Sequence, residues 1–224
     1  MSHSCLICQD VRPQFLFSVR DFFSKDHFAI VECPSCDLVR TIIPERSEGE
    51  TQTYVEDPVK RFGSRLNPIV EKLYALRKRT LGKMEPGVVI DVGCGQGEFI
   101  KAMDKAGWQA LGVEAQARCT DDLISDDEFL AGMLPEDSAD LVCFWHSLEH
   151  LAYPAHFLEA AHTVLKPQGK VLVEVPNISS FQSWWADKNW LHLDCPRHRF
   201  HFSPETLTQL MKSQGFAIQS VSTW

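Results

Sequence analysis

The chain has 224 residues, enough for one ordinary domain or for one domain and a small module. Its composition, 44% hydrophobic and 23% charged, excludes a fully disordered, collagen-like or coiled-coil chain. The net charge of −8 argues against a general binder of nucleic acid, so we do not expect nucleic acid as a partner. No apolar run is long enough for a membrane span, and the first residues lack the pattern of a secretory signal, so we expect a cytoplasmic protein.

Two Cys-x-x-Cys pairs lie near the beginning of the chain: Cys5 and Cys8, then Cys33 and Cys36. This spacing is typical of a structural zinc site, in which two tight turns supply four thiolates and leave no position open for water. The segments 15–19, 27–31 and 38–43 around them are strand-like. Because a module of about 45 residues buries little core, a metal ion would stabilise it. We therefore predict a zinc ribbon over residues 1–45; a single pair would also have fitted a redox motif.

A polar, proline-bounded linker and a helix at 68–83 are predicted within residues 46–86, and the main domain is predicted over 87–224. In that domain, strands and helices alternate. The pattern predicts an α/β fold of the Rossmann-like type, with a mostly parallel sheet and helices on both faces. Strands are predicted at 88–92, 108–114, 129–130, 140–145, 170–175 and 216–221, and helices at 98–106, 154–165 and 204–213.

The segment Asp91-Val-Gly-Cys-Gly-Gln-Gly97 stands between the first of these strands and the helix that follows it. Glycines at this position let the chain turn tightly and let a ligand lie against the backbone at the carboxyl end of the sheet. Asp91 would repel the phosphates of a dinucleotide but would suit an ammonium group, which argues against NAD. A phosphate-binding P-loop would also require Gly-Lys-Ser/Thr.

Glu114 ends the next predicted strand. A carboxylate at that point can accept both ribose hydroxyls of an adenosine. The alternative is that Glu114 only caps the following helix.

The run Val-Ile-Asp-Val-Gly-Cys-Gly-Gln-Gly at 89–97 resembles the first motif of class I S-adenosylmethionine-dependent methyltransferases. Glu114 and the segments 132–151 and 165–176 resemble further motifs of that family in the same order, so the resemblance covers residues 88–222. It implies S-adenosylmethionine as cofactor, with Asp91 and the glycine loop at its methionine end, Glu114 at the ribose and Met133 at the adenine. The cofactor-binding residues predicted in this way are Asp91, Gly93, Cys94, Gly95, Gly97, Glu114, Met133, Trp145 and His146.

Methyl transfer to a hydroxyl often requires a base, and a neutral histidine serves near pH 7. The candidates are His146, His150, His192, His198 and His201. The segment 192–203 resembles that of small-molecule methyltransferases of the ubiquinone-pathway type, several of which carry an N-terminal zinc ribbon. We predict His198 as the first choice and His201 as the second, with His146 beside the reacting groups.

The sequence therefore predicts methyl transfer to a small-molecule acceptor, with oxygen favoured over carbon or nitrogen. Two alternatives remain open: an RNA methyltransferase that uses the zinc ribbon to hold RNA, and a non-catalytic scaffold that binds the cofactor. Because the sequence stops soon after the last predicted parallel strand, we expect the family's seventh, antiparallel strand to be missing. An open sheet edge of this kind could form a homodimer.

Overall fold

The computed structural model describes residues 4–44, 77, 81, 82, 84–115 and 123–223. The predicted linker and most of the predicted helix at 68–83 lie outside these residues. Within the described ranges, none of the helices combines the length and the apolar character that a bilayer span requires.

Five parallel strands form the central sheet. They are β4 (Val88–Val92), β5 (Gln109–Val113), β6 (Leu123–Ile124), β7 (Ala139–Trp145) and β8 (Leu165–Glu174). Their order in space is β6-β5-β4-β7-β8, so the chain reverses its direction of winding between β4 and β7. Asp91 of β4 pairs with Gly112 on one side and with Cys143 on the other. In open sheets of this kind, ligands bind at the carboxyl ends of the strands beside such a reversal.

Helices cover both faces of this sheet, as the sequence predicts. They are α1 (Glu98–Asp104), α2 (Asp126–Leu130), α3 (Pro154–Val164), α4 (Phe181–Ala186) and α5 (Pro204–Ser213). Alternate strand residues point to opposite faces. One core contains Val89 and Leu141 with Phe99 and Met103 of α1. The other contains side chains of the sheet, α2, α3 and α5: Ile90, Val142, Phe144, Phe129, Phe157, Leu158 and Leu210.

A second, antiparallel sheet lies in the N-terminal part of the chain. It contains β1 (Gln14–Arg20), β2 (His27–Glu32) and β3 (Val39–Ile42), close to the three predicted strands. Its fourth strand, β9 (Phe200–His201), comes from the far end of the sequence and pairs with β3. This sheet shares a small core with the segment before β9, made of Phe28, Ile30, Val39, Trp190, Leu193 and Cys195.

The predicted third strand at 129–130 is wrong. The third parallel strand is β6, and Phe129 lies in α2. The helix begins after Ser125, whose hydroxyl accepts a hydrogen bond from the Glu128 N–H while the Glu128 carboxylate accepts one from the Ser125 N–H. This reciprocal capping fixes the helix start, and Phe129 is buried by packing against Phe157 of α3 rather than within a sheet.

The predicted last strand at 216–221 is also wrong, because these residues form no strand and the described sheet ends at β8. Phe216 and Ile218 contact the core, with the Phe216 ring packed edge-on against His162 of α3. The residues between and after them are exposed. A parallel strand covered by helices on both faces needs a nearly continuous apolar run, and here only Phe216 and Ile218 contact the core. A seventh strand is likewise absent from the described residues.

Candidate functional site

The glycine loop lies at the carboxyl end of β4, where the backbone follows a path that favours glycine. Gly93, Gly95 and Gly97 have positive φ angles of 77°, 55° and 72°. A β-carbon on Gly93 would stand 2.4 Å from the β-carbon of Ser147, so the backbone approaches its neighbour closely there. Nothing lies within 4 Å of the corresponding position on Gly95. The loop therefore presents bare backbone on an open side.

Asp91 is a buried carboxylate beneath this loop, 3% exposed. Its Oδ1 atom has no hydrogen-bond partner among the described residues. Burial raises the pKa of Asp91 to about 7, with Arg77 opposing the shift and Glu114 adding to it. Because a buried carboxylate without a partner is costly, this oxygen fits the ammonium group of an amino-acid ligand.

Glu114 follows β5 and reaches across to the glycine loop. Its Oε2 accepts a hydrogen bond from the Gly95 N–H at 2.8 Å, and its Oε1 accepts one from the Ala115 N–H at 3.1 Å. Each carboxylate oxygen retains a second lone pair, so the group can still accept the hydroxyls of a ribose.

Of two further predicted cofactor-binding residues, Cys94 is buried and Met133 is exposed. The Cys94 side chain is buried against Gly112 of β5, and burial raises the pKa of its thiol to about 12, so it packs as a neutral side chain. Met133 follows the turn after α2, and its side chain is 66% exposed.

His146 follows β7 at the same edge of the sheet and is held by two carboxylates. Its Nε2 lies 2.9 Å from Glu174 Oε1, and its Nδ1 lies 3.6 Å from Glu149 Oε1. Burial alone would lower the pKa of His146, but the two carboxylates outweigh it and raise the pKa to about 9. His146 is therefore a cation near neutral pH, which makes it suited to holding charge rather than to accepting a proton.

Arg77 joins this group from outside the sheet. Its Nη2 lies 3.3 Å from Glu174 Oε1, and its guanidinium lies 4.9 Å from the centre of the Trp145 ring. The sequence predicts only a helix at this position. Arg77, Glu149 and Glu174 are the site residues that sequence reasoning missed; only Glu174, as the acid that ends a parallel strand, carried a recognisable signal.

A cavity of about 170 Å³ opens beside His146 and Glu174. His192 lines it together with Trp190 and Asn177, and residues 222 and 223 close one side. Burial lowers the pKa of His192, and the nearby charge of His146 lowers it further. The cavity adjoins the carboxyl ends of β7 and β8.

The other predicted histidines lie elsewhere. His198 is buried beside Glu149 and His150, and burial lowers its pKa to about 4. His201 is buried in β9 of the N-terminal sheet, where its Nε2 lies 3.0 Å from Thr41 Oγ1, and burial lowers its pKa to about 3. The structure thus brings His146 and His192 to the cavity, whereas His198 and His201 are not among its lining residues.

The four N-terminal cysteines meet at one point. The Cys5 and Cys36 sulfurs lie 3.4 Å apart, as do the Cys8 and Cys33 sulfurs, and all four atoms lie within 4.8 Å of one another. Four sulfurs about 2.3 Å from a central ion in a tetrahedron would be separated by about 3.8 Å. The cluster therefore fits a metal ion with four thiolate ligands.

Comparisons with known proteins agree with this arrangement. A family model described as "Methyltransferase domain" matches residues 63–221. A probable S-adenosylmethionine-dependent methyltransferase of Mycolicibacterium smegmatis is 26% identical over 142 residues, which cover 58% of this chain and 52% of that protein. A ubiquinone biosynthesis O-methyltransferase of Leptothrix cholodnii is 28% identical over 114 residues, which cover 45% and 48%.

The chain thus spans about half the length of the curated relatives it matches. Among solved structures, a SAM-dependent methyltransferase of Thermotoga maritima is similar in fold, with a TM-score of 0.52 at 20% identity over 69% of this chain and 79% of that one. The fold, the glycine loop with its two acids and the family match agree: the chain belongs to the methyltransferase domain family and has the class I S-adenosylmethionine-dependent architecture.

Proposed function

We propose that this protein transfers the methyl group of S-adenosylmethionine to a hydroxyl oxygen of a small-molecule acceptor. The observation that carries the proposal is the buried Asp91 carboxylate beneath an open glycine loop; one of its oxygens has no hydrogen-bond partner among the residues that the structure describes. The family match supports the cofactor, and the O-methyltransferase name of one relative supports oxygen as the acceptor atom.

Asp91 would bind the amino group of the cofactor, and the backbone of Gly93, Gly95 and Gly97 would lie along its methionine and ribose parts. Glu114 would accept the ribose hydroxyls, and Met133 would cover the adenine. When bound, the cofactor supplies a methyl group on a positively charged sulfur. Cys94 and Trp145 would act by packing, and the His146 cation would orient Glu174 and Glu149 at the edge of the acceptor cavity.

We propose that a histidine accepts the hydroxyl proton, and the cavity favours His192 for this role. Together with His146 it is one of the two histidines that line the cavity among the described residues, and His146 is already bonded to Glu174. A base must lie within hydrogen-bond reach of the proton it takes. His198, His201 and His146, which the sequence analysis preferred as catalytic residues, stay predictions.

The experiment combines calorimetry with turnover. We expect wild-type protein to bind S-adenosylmethionine, and Asp91→Asn to bind it at least about tenfold more weakly because the carboxylate–ammonium contact is lost. With an acceptor found by screening hydroxylated compounds, His192→Ala should lose most of its turnover and keep its cofactor affinity. Lack of affinity for S-adenosylmethionine and for its demethylated product would exclude the proposed function.

We further propose that Cys5, Cys8, Cys33 and Cys36 bind one structural Zn²⁺ in a module over residues 1–45, followed by a connecting region at 46–86 and the catalytic domain at 87–224. A site with four thiolates has no open position, so the ion would stabilise the fold without taking part in the reaction. Metal analysis of protein purified without chelators should find one zinc that Cys8→Ser loses. Ser35→Ala, which alters the turn between Cys33 and Cys36 without removing a thiolate, should retain it.

A further inference from the structure

A second cluster of metal-ligand side chains lies beside the acceptor cavity. It consists of Glu149, His150 and His198, and one donor atom from each lies within 4.8 Å of the other two. We propose that this cluster binds a divalent transition-metal ion, at a site separate from the four cysteines. The proposal does not depend on the identity of the methyl acceptor.

Glu149 provides the strongest reason for a bound cation. The residue is 1% exposed, and neither of its carboxylate oxygens has a hydrogen-bond partner among the described residues. His146 Nδ1 approaches one of them only to 3.6 Å, while the other nitrogen of that ring is bonded to Glu174. A buried carboxylate is costly unless it is hydrogen-bonded, paired or coordinated to a metal. His146 is a counter-charge without a close hydrogen bond, and both Glu149 oxygens retain the lone pairs with which a carboxylate coordinates a metal ion.

In both histidines, Nδ1 is hydrogen-bonded to a backbone carbonyl oxygen, which leaves Nε2 available as a metal ligand. His150 Nδ1 lies 3.0 Å from the carbonyl oxygen of Arg197, and His198 Nδ1 lies 2.8 Å from that of His192. Because a carbonyl oxygen only accepts hydrogen bonds, each Nδ1 must carry the proton. Each Nε2 then has a free lone pair, and a ring fixed in this way by a backbone carbonyl is the usual state of a metal-binding histidine.

The two chain segments that carry the ligands are joined by backbone hydrogen bonds. The Arg199 and Phe200 N–H groups donate to the Glu149 carbonyl oxygen at 2.8 and 3.3 Å. Thr41 of β3 donates to the His198 carbonyl oxygen at 2.7 Å. The cluster is thus held by backbone contacts, so an ion would bind without a large rearrangement of either segment.

The ligand set indicates the class of ion. Two imidazoles and one carboxylate suit first-row ions such as Zn²⁺, Co²⁺ or Fe²⁺ better than Ca²⁺ or Mg²⁺, which prefer oxygen ligands. Three protein ligands leave at least one position for water or for an acceptor oxygen. His150 is exposed, so the ion could enter from solvent on that side.

Co²⁺ is the probe that separates the two sites, because thiolate ligands add a charge-transfer band that imidazole and carboxylate ligands do not. Full-length protein is first loaded with one equivalent of Zn²⁺ and then titrated with Co²⁺. We expect one Co²⁺ per chain to bind with a visible d–d band and without the thiolate band.

His150→Ala and Glu149→Gln should each bind one Co²⁺ fewer than wild type. The matched control is His156→Ala, which removes an exposed histidine of α3 outside the cluster and should bind as wild type does. Cofactor affinity, measured on every variant, verifies that the fold is retained. If Glu149→Gln fails to fold, the cobalt binding of His150→Ala, at an exposed residue, tests the proposal. The proposal is overturned if wild type binds no cobalt with these spectral properties, or if His150→Ala retains it.

Discussion

The side-chain hydroxyl of Thr41 donates a hydrogen bond of 2.7 Å to the backbone carbonyl oxygen of His198. This contact joins two parts of the chain that are 157 residues apart in sequence, and it is buried. The Thr41 N–H adds a second bond to the Arg199 carbonyl at 2.9 Å. The N-terminal sheet therefore holds the segment that carries His192 and His198, and His192 lines the proposed acceptor cavity.

Replacement of Thr41 by valine tests this role. Thr41→Val keeps the shape of the side chain but leaves the buried His198 carbonyl without its donor, so we expect the free energy of unfolding to fall by about 1–3 kcal/mol. Turnover should fall as well, while cofactor affinity stays close to that of wild type because the glycine loop is untouched. Urea unfolding and calorimetry measure the two effects. Thr163→Val, on the exposed side of α3, is the control; equal losses in both variants would contradict the prediction.

Gly93 should tolerate no larger residue. In Gly93→Ala the new β-carbon would lie 2.4 Å from the Ser147 β-carbon, and Ser147 cannot easily move because its hydroxyl donates to the Val92 carbonyl at 2.6 Å. The positive φ adds about 1–3 kcal/mol of strain. We expect lower stability and loss of cofactor binding, measured by urea unfolding and calorimetry.

Gly82→Ala is the matched control for this substitution, because Gly82 also has a positive φ but has nothing within 4 Å of the new β-carbon. It should show the strain without the clash and should retain cofactor affinity. If both variants bind the cofactor as wild type does, the close approach of Gly93 to Ser147 is unimportant for the loop.

The parts of the site that depend on local sequence could be predicted. Asp91 and the three glycines are adjacent in the chain, and Glu114 ends the next strand, so strand order alone brings them together. The proximity of Glu149 and His198 could not be predicted, because it depends on hydrogen bonds from the Arg199 and Phe200 N–H groups to the Glu149 carbonyl, between segments that are distant in sequence. The third strand was misplaced for a local reason: the capping pair Ser125 and Glu128 outweighs the apolar Phe129-Leu130 pattern.

Cofactor binding should depend on pH through Asp91. Burial raises the pKa of this carboxyl to about 7, with Arg77 opposing the shift and Glu114 adding to it. Only the deprotonated form attracts an ammonium group, so affinity should fall as pH decreases below about 7, by up to about tenfold per unit. Calorimetry between pH 6 and pH 8 measures this slope. Asp91→Asn should bind weakly with no such slope; a wild-type affinity that does not change with pH would contradict the assignment.

The same shift predicts how the ligand-free protein responds to pH. The folded state holds the Asp91 proton more tightly than the unfolded state does, because its pKa is raised above the ordinary value of 3.8. The contribution of Asp91 to the free energy of unfolding is therefore fully present below pH 4 and is lost as pH rises towards about 7. Urea unfolding of wild type and Asp91→Asn across this range should converge at low pH and separate at neutral pH, with the variant more stable there.

Arg197 should be essential for the attachment of the N-terminal sheet. Its Nη2 lies 2.9 Å from Asp21 Oδ1 and 2.6 Å from Asp194 Oδ1, and the Asp21 side chain is completely buried. Asp21 would keep the Ser24 N–H as a donor in Arg197→Ala but would lose its counter-charge. Removing one partner of a buried ion pair costs about 3–5 kcal/mol, so the variant should unfold at a much lower urea concentration.

Two further variants separate this effect from a general loss of surface charge. Arg12→Ala removes an exposed arginine that pairs with Asp10 and should unfold close to wild type, because exposed pairs contribute little. Arg197→Lys restores the charge but not the geometry of the guanidinium, so it should recover only part of the stability. If Arg197→Ala and Arg12→Ala unfold at the same urea concentration, Asp21 does not depend on Arg197 and the N-terminal sheet is held by its backbone and core contacts alone.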